Sequence, residues 1–129
     1  MVILHKEKSV YDFDETCLRI NKFLESRNIS IFATIDHQEN AEMVGLKLRP
    51  EKVILFGSAL VGTHIIEENP DIGLELPSKI LVFQEGNSVY VTYSDYNDLM
   101  LAYHISKSSE FGKKLGSIMA ELAIFATRN

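Results

Sequence analysis

Apolar and polar residues in the first part of the chain follow a helical period. Between residues 13 and 24, large apolar side chains recur every three or four positions, which places them on one face of an α-helix. Asp12 and Glu15 are spaced as a helix-capping pair, and Asn28 suits the left-handed conformation that often ends a helix. The pattern predicts a helix from Asp12 to Asn28, preceded by a strand over residues 2–8.

The next segments change to strand patterns. Residues 29–35 alternate apolar and polar side chains, so one face of the strand is expected in the core; that face is Ile29, Ile31, Ala33 and Ile35. Residues 39–45 resemble a short helical turn. Residues 53–56 are apolar throughout and predict a central strand that is buried on both faces. A helix is expected over residues 60–68.

A hairpin and two helices are predicted in the second half of the chain. Residues 79–84 and 88–93 are two β-type runs, and the Glu85–Gly86–Asn87 segment between them supplies turn residues. Ser94 is expected to cap a helix that packs through Leu99, Met100 and Tyr103. A final helix carries an apolar stripe of Phe111, Leu115, Ile118, Leu122 and Phe125. Any part of this stripe that the sheet leaves uncovered would become a dimer surface.

Together these elements predict one α+β domain over residues 1–129. About five strands form a mixed or antiparallel sheet, and the helices pack against it as a second layer. Strands and helices do not alternate strictly, which disfavours a doubly wound parallel fold. The length of 129 residues is ordinary for one domain.

Composition narrows the possible partners and location. The formal net charge is −5 and the basic residues are scattered, which argues against nucleic-acid binding. No apolar run approaches the roughly 20 residues that a membrane span needs, and the N-terminus has no apolar signal core. Cys17 is the single cysteine, so no internal disulfide can form. A cytoplasmic protein without membrane contact is expected.

An ordered set of short motifs resembles the domain of unknown function 302 family. The resemblance covers roughly residues 30–105, and its motifs are Ile35-Asp36-His37, Asn40-Ala41, residues 45–50, residues 53–57, Gly62-Thr63, Asn69-Pro70, residues 73–82 and residues 89–95. It implies a compact α+β fold and a homodimer, and it implies no established activity. Ser58 stands where the family usually has Asn, and His64 where it commonly has Pro.

Asp36, His37 and Asn40 form the densest polar cluster. If the chain turns after Asp36, His37 can act as a general acid or base whose tautomer is fixed by Asp36 or Asn40. The alternative is structural: Asp36 caps the following short helix, and His37 packs over the end of the strand.

The loop over residues 57–63 follows a strand and precedes a helix. Gly57 and Gly62 are spaced as in a phosphate-binding loop, but Thr63 stands where that motif has the phosphate-binding Lys, so nucleotide hydrolysis is not expected. Backbone N–H groups near Ser58 can still bind an anion. The alternative is a tight turn that needs glycine for its backbone angles.

No metal site or cofactor is expected, because the four histidines and Cys17 show no spacing that gathers ligands on one helix face. Cys17 is interpreted as a small core residue. The acidic residues Glu67, Glu68, Asp71 and Glu75 form either a solvated loop or a site for a cation or basic partner.

Three functions remain open from the sequence. The first is a homodimeric, non-catalytic module that binds a small anionic or apolar ligand in a pocket near Asp36, His37, Asn40, Gly57 and Ser58. The second is an enzyme that uses His37 as its acid–base group. The third is a purely structural or interaction protein.

Overall fold

The computed structural model describes residues 3–106 and 110–129, with the backbone alone at Phe111. Val2, which the sequence places in the first strand, therefore lies outside the described residues. Phe111, a predicted apolar position of the last helix, lies outside the described side chains. The strands are β1 Leu4–Lys8, β2 Ser30–Asp36, β3 Glu51–Gly57, β4 Ser78–Glu85 and β5 Ser88–Ser94. The helices are α1 Phe13–Ser26, α2 His37–Met43, α3 Ala59–Glu68, a short 3-10 helix Pro70–Leu74, α4 Tyr96–Ala102 and α5 Glu110–Thr127.

The five strands form one antiparallel sheet in the order β1-β5-β4-β3-β2, so β1 and β2 are its edges. The predicted α+β class is therefore confirmed. The predicted hairpin is present as β4 and β5, in which Glu85 pairs with Ser88. Gly86 has a φ of 60°, the positive angle that such a two-residue turn needs.

Short polar side chains cap the N-terminal ends of the helices. The Asp12 side chain accepts a hydrogen bond from the Glu15 N–H at 2.8 Å, as expected for α1. Asn28 follows α1 with a φ of 55°, the predicted left-handed conformation. The cap of α4 is Asp95 rather than Ser94, because the Asp95 carboxylate accepts from the Asp98 N–H at 2.8 Å.

Helices α1 and α5 pack against each other and cover one face of the sheet. Ile54 pairs with Ile80 and Val82 pairs with Val91, so these side chains share the helix-covered face. Other large core residues come from the helices and include Ile20, Leu24, Ile65, Met119 and Leu122. The burial of this apolar surface is the main force that joins the two layers.

The other face of the sheet corrects two expectations about the strands. Val53 and Leu55 are half-buried, so β3 is not buried on both faces. Ile31, Ala33 and Ile35 of β2 are all exposed, although their alternation had predicted a core face. A bulge at Phe32 breaks the alternation. Ile31 therefore lies opposite Phe56 on the helix-covered face, whereas Ala33 and Ile35 lie on the other face.

Candidate functional site

The two polar clusters predicted from the sequence lie at opposite ends of strand β3. Asp36 pairs with Lys52 at the start of β3, and Ser30 pairs with Gly57 at its end. At about 3.4 Å per residue, the five steps between Lys52 and Gly57 separate the clusters by roughly 17 Å. The expected common pocket near Asp36 and Gly57 is therefore wrong: the strand is extended and holds its two ends apart.

Asp36 is used as the cap of α2. Its Oδ1 accepts a hydrogen bond from the Glu39 N–H at 2.9 Å. His37 is the half-buried first residue of that helix, and Asn40 is exposed. Within the described part of the chain, no hydrogen bond joins the His37 ring to Asp36 or Asn40, so this cluster has the geometry of the structural alternative.

A cavity of about 330 Å³ lies at the other end of β3, between helices α3 and α5. We call it the α3–α5 cavity. Its wall is largely apolar and is formed by side chains that include Phe32, Val61, Ile65, Leu76, Leu115 and Ile118. Its polar side chains include Ser58, Thr63, Ser78 and Lys114. Four residues that the sequence had singled out, Gly57, Ser58, Gly62 and Thr63, lie along this wall.

Small residues leave much of the space in the cavity. A Cβ placed on Gly62 would meet no atom within 4 Å, although Gly62 lies inside helix α3 and lines the cavity. A Cβ on Gly57 would lie 3.6 Å from the Phe32 ring, an ordinary contact distance. Neither glycine has a positive φ, so the tight-turn explanation of these glycines is wrong. Their effect is on the volume of the cavity.

The Ser58 hydroxyl on the wall already has a hydrogen-bond partner. The Ser58 hydroxyl accepts from the Val61 N–H at 3.3 Å and thereby caps α3. Ser78 is buried, and the next residue, Lys79, donates its N–H to the Tyr96 hydroxyl at 3.2 Å. Burial raises the pKa of Tyr96, so its hydroxyl stays neutral at physiological pH.

Two electrostatic features face the cavity. The N-terminal end of α3 carries the partial positive charge of a helix start. Lys114 on α5 adds a full positive charge at an exposed position on the wall. Both features favour a negatively charged group at the cavity.

Sequence reasoning had not assigned several cavity residues to a site. Leu115 and Ile118 were predicted as core positions of the last helix, and Phe32 as a surface position of an alternating strand. Lys114 carried no local signal, and Leu76 was singled out only as part of the motif over residues 73–82. The cavity depends on the meeting of β2, β3, α3, the 76–78 segment and α5, which no local pattern encodes.

Cys17 behaves as a core residue. Burial is the largest influence on its thiol and raises its pKa to about 11, although the nearby Lys52 lowers it. The thiolate is scarce at neutral pH, so Cys17 lacks the character of a nucleophile.

Carboxylates around the short 3-10 helix accept hydrogen bonds from nearby backbone and side-chain groups. Glu75 accepts from the Tyr103 hydroxyl at 2.9 Å, and Glu68 accepts from the Ser106 N–H at 3.0 Å. Among residues 3–106 and 110–129, no three His, Cys, Asp or Glu side chains form a group that fits a metal ion. The same part of the chain has no helix with the length and hydropathy of a membrane span.

Comparisons with known proteins identify a family and a fold. The family model "Domain of unknown function DUF302" matches residues 5–122. The crystal structure of an uncharacterized conserved protein DUF302 from Bacillus stearothermophilus is 16% identical and superposes with a TM-score of 0.84. That match covers 95% of this chain and 97% of the other, and it supports the fold alone.

Curated relatives are channel proteins of Brucella. The chain is 30% identical over 108 residues to "Fluoride-specific ion channel FluC 1" of Brucella suis biovar 1 (strain 1330), which covers 83% of this chain and 42% of the channel. The protein of the same name from Brucella abortus biovar 1 (strain 9-941) gives 30% over 108 residues and 40% of its length. This chain thus spans about two-fifths of the curated relatives that it matches.

Proposed function

We propose, from the premise that this chain belongs to the DUF302 family of domains of unknown function, that it is a homodimeric module that binds a small ligand. The ligand is largely apolar, carries one anionic group and occupies the α3–α5 cavity. The cavity is the observation that carries this proposal.

The size and lining of the cavity support a ligand of this kind. A volume of about 330 Å³ lies within the range of roughly 300–1,000 Å³ that is usual for small-molecule sites. The wall is built mostly from aliphatic and aromatic side chains, among them Phe32, Ile65 and Leu115. Transfer of an alkyl chain from water to such a wall is favourable by about 0.8 kcal/mol for each buried methylene.

The anionic end of the ligand is supported by charge. Lys114 and the start of α3 both present positive potential to the cavity. The Ser78 hydroxyl on the wall is uncharged and does not oppose that potential. A carboxylate therefore has a favourable position near Lys114, with its alkyl chain among the apolar residues.

The lining favours binding over acid–base catalysis. Among the described residues that line the cavity there is no His, Cys, Asp or Glu side chain to exchange a proton near neutral pH. His37 lies at the opposite end of β3 from the cavity. The Asp36 carboxylate next to it accepts the capping hydrogen bond from the Glu39 N–H. The set of groups at the cavity can hold and orient a molecule.

Direct titration with octanoate tests the proposal, with 1-octanol as the neutral match. We expect both compounds to bind, octanoate more tightly, and a ligand at 100 times its dissociation constant to stabilise the protein by about 2.7 kcal/mol. Isothermal titration calorimetry measures the affinity, and thermal unfolding measures the stabilisation.

Two variants at one position supply the control. Gly62→Leu fills the open space in the cavity, whereas Gly62→Ala adds a single methyl group to the same helix position. We expect Gly62→Leu to abolish binding and Gly62→Ala to retain it. Equal binding by both variants, or no binding of either compound to the wild-type chain, would contradict a ligand site in this cavity.

A further inference from the structure

Gly62 lies inside helix α3, where glycine is an unfavourable residue. Its N–H donates to the Ser58 carbonyl at 2.9 Å, as in a regular helix. Glycine destabilises such a position relative to alanine, because it loses more backbone freedom when the chain folds. Gly62 does not have the positive φ that would require glycine. The backbone therefore gives no reason for glycine at this position.

Close packing gives no reason for it either. A Cβ built on Gly62 would meet no atom within 4 Å. The other glycine of the cavity wall differs, because a Cβ on Gly57 would lie 3.6 Å from the Phe32 ring and 4.0 Å from the Pro77 Cβ. Gly62 is thus the lining glycine beside which the cavity has open space.

The open space beside Gly62 interrupts an apolar wall, and we call it the Gly62 notch. Ala59 and Ile66 lie three residues before and four residues after Gly62, so the three share one face of α3, and all of them line the cavity. Leu115 and Ile118 line it from α5. A straight alkyl chain that runs between these two helices leaves the notch unfilled.

Exposure orders the residues of the wall from the mouth of the cavity inward. Lys114 and Thr63 are exposed, Gly62 is half-buried, and Ile65 is 1% exposed. In the proposed binding mode, a carboxylate near Lys114 directs its alkyl chain inward past Gly62. The notch therefore faces the chain of the ligand and not its charged group.

We propose that the α3–α5 cavity takes methyl-branched carboxylates and that the Gly62 notch receives the branch. This inference rests on the proposed function and narrows its ligand class. A methyl branch in the notch is removed from water and packs against the bare backbone of α3, which a straight chain leaves uncovered. Gly62 thus determines specificity for the shape of the ligand.

Titration with octanoate and with both enantiomers of 2-methyloctanoate, 4-methyloctanoate and 6-methyloctanoate tests the proposal. These isomers place the same methyl group at different depths in the cavity. We expect at least one of them to bind the wild-type chain about fourfold more tightly than octanoate, which corresponds to about 0.8 kcal/mol for one buried methylene. Isothermal titration calorimetry measures each affinity.

Gly62→Ala places a methyl group of the protein where the branch would lie. We expect this variant to bind the preferred branched isomer no more tightly than octanoate. Gly73→Ala is the matched control, because a Cβ on Gly73 also meets no atom within 4 Å, whereas Gly73 does not line the cavity. It is expected to keep the preference of the wild-type chain. Thermal unfolding shows whether each variant keeps its fold.

The outcomes separate this inference from the proposed function. If none of the compounds binds the wild-type chain, both are wrong. If octanoate binds and no branched isomer binds more tightly, the cavity holds a ligand but the branched class is wrong. If Gly62→Ala keeps the preference for a branched isomer, or if Gly73→Ala loses it to the same extent, the notch does not receive the branch and the inference is overturned.

Discussion

At the scale of single residues, Lys114 brings a positive charge to the wall of the α3–α5 cavity. Lys113 precedes it on the same helix and is also exposed, but it does not line the cavity. The two lysines therefore offer the same charge at neighbouring positions, one inside the proposed site and one outside it.

We expect Lys114→Met to weaken octanoate binding and to leave 1-octanol binding nearly unchanged. The methionine keeps an apolar side chain of similar length and removes the charge. An exposed charge pair contributes about 0.2–1 kcal/mol, which corresponds to a loss of roughly 1.4- to fivefold in affinity. Calorimetric titration of both compounds measures the difference.

Lys113→Met is the control for this experiment, since it makes the same change in net charge. If both variants weaken octanoate binding equally, the effect comes from the overall charge of the protein and not from a contact at the cavity.

Asp36 provides a second test with single-residue variants. Its carboxylate caps α2 through the Glu39 N–H, at the end of β3 that is distant from the cavity. We expect Asp36→Ala to lower the free energy of unfolding by about 0.5–2 kcal/mol. Octanoate affinity should remain the same. Urea unfolding and titration of the folded variant measure the two quantities separately, and a large loss of affinity would show that Asp36 belongs to the ligand site.

At the scale of secondary structure elements, the start of α4 combines a cap with a side-chain hydrogen bond to β1. The Asp95 carboxylate accepts from the Asp98 N–H at 2.8 Å and is 2.8 Å from His5 Nε2 on β1. The Asp98 N–H is the main cause that lowers the pKa of Asp95; burial opposes it, and the His5 hydrogen bond assists it. The carboxylate thus links an edge strand to the helix that follows the hairpin.

The lowered pKa gives the stability of the protein a defined pH dependence. The carboxylate binds its proton less readily in the folded state, so its contribution is present above the unfolded pKa of about 3.9 and is lost as the pH falls through the lower folded value. Asp95→Asn keeps a capping oxygen and removes the charge. At pH 6, we expect the free energy of unfolding of the wild-type protein to exceed that of Asp95→Asn by up to about 1 kcal/mol.

This difference is expected to shrink below about pH 4, as the carboxylate takes up its proton. Urea unfolding of both proteins at the two pH values measures it. A gap that stays constant over the whole range would show that the charge of Asp95 has no part in the effect.

Most elements were predictable because their signals are local. The caps at Asp12 and Asp36, the apolar period of α1 and the turn residues at Gly86 act over a few positions. The outward side of β2 was not predictable, since alternation shows that a strand has two faces but not whether a helix covers one. The bulge at Phe32 also shifts the register, and no residue type in the strand predicts it.

At the scale of the whole molecule, the candidate site was predictable only in part. Gly57, Ser58, Gly62 and Thr63 were singled out as an anion-binding loop, and they do lie along one cavity. The wall opposite them, with Leu115 and Ile118, comes from the last helix, and its position depends on tertiary packing. Asp36, His37 and Asn40 were grouped with the loop because residue types carry no information on the distance between strand ends.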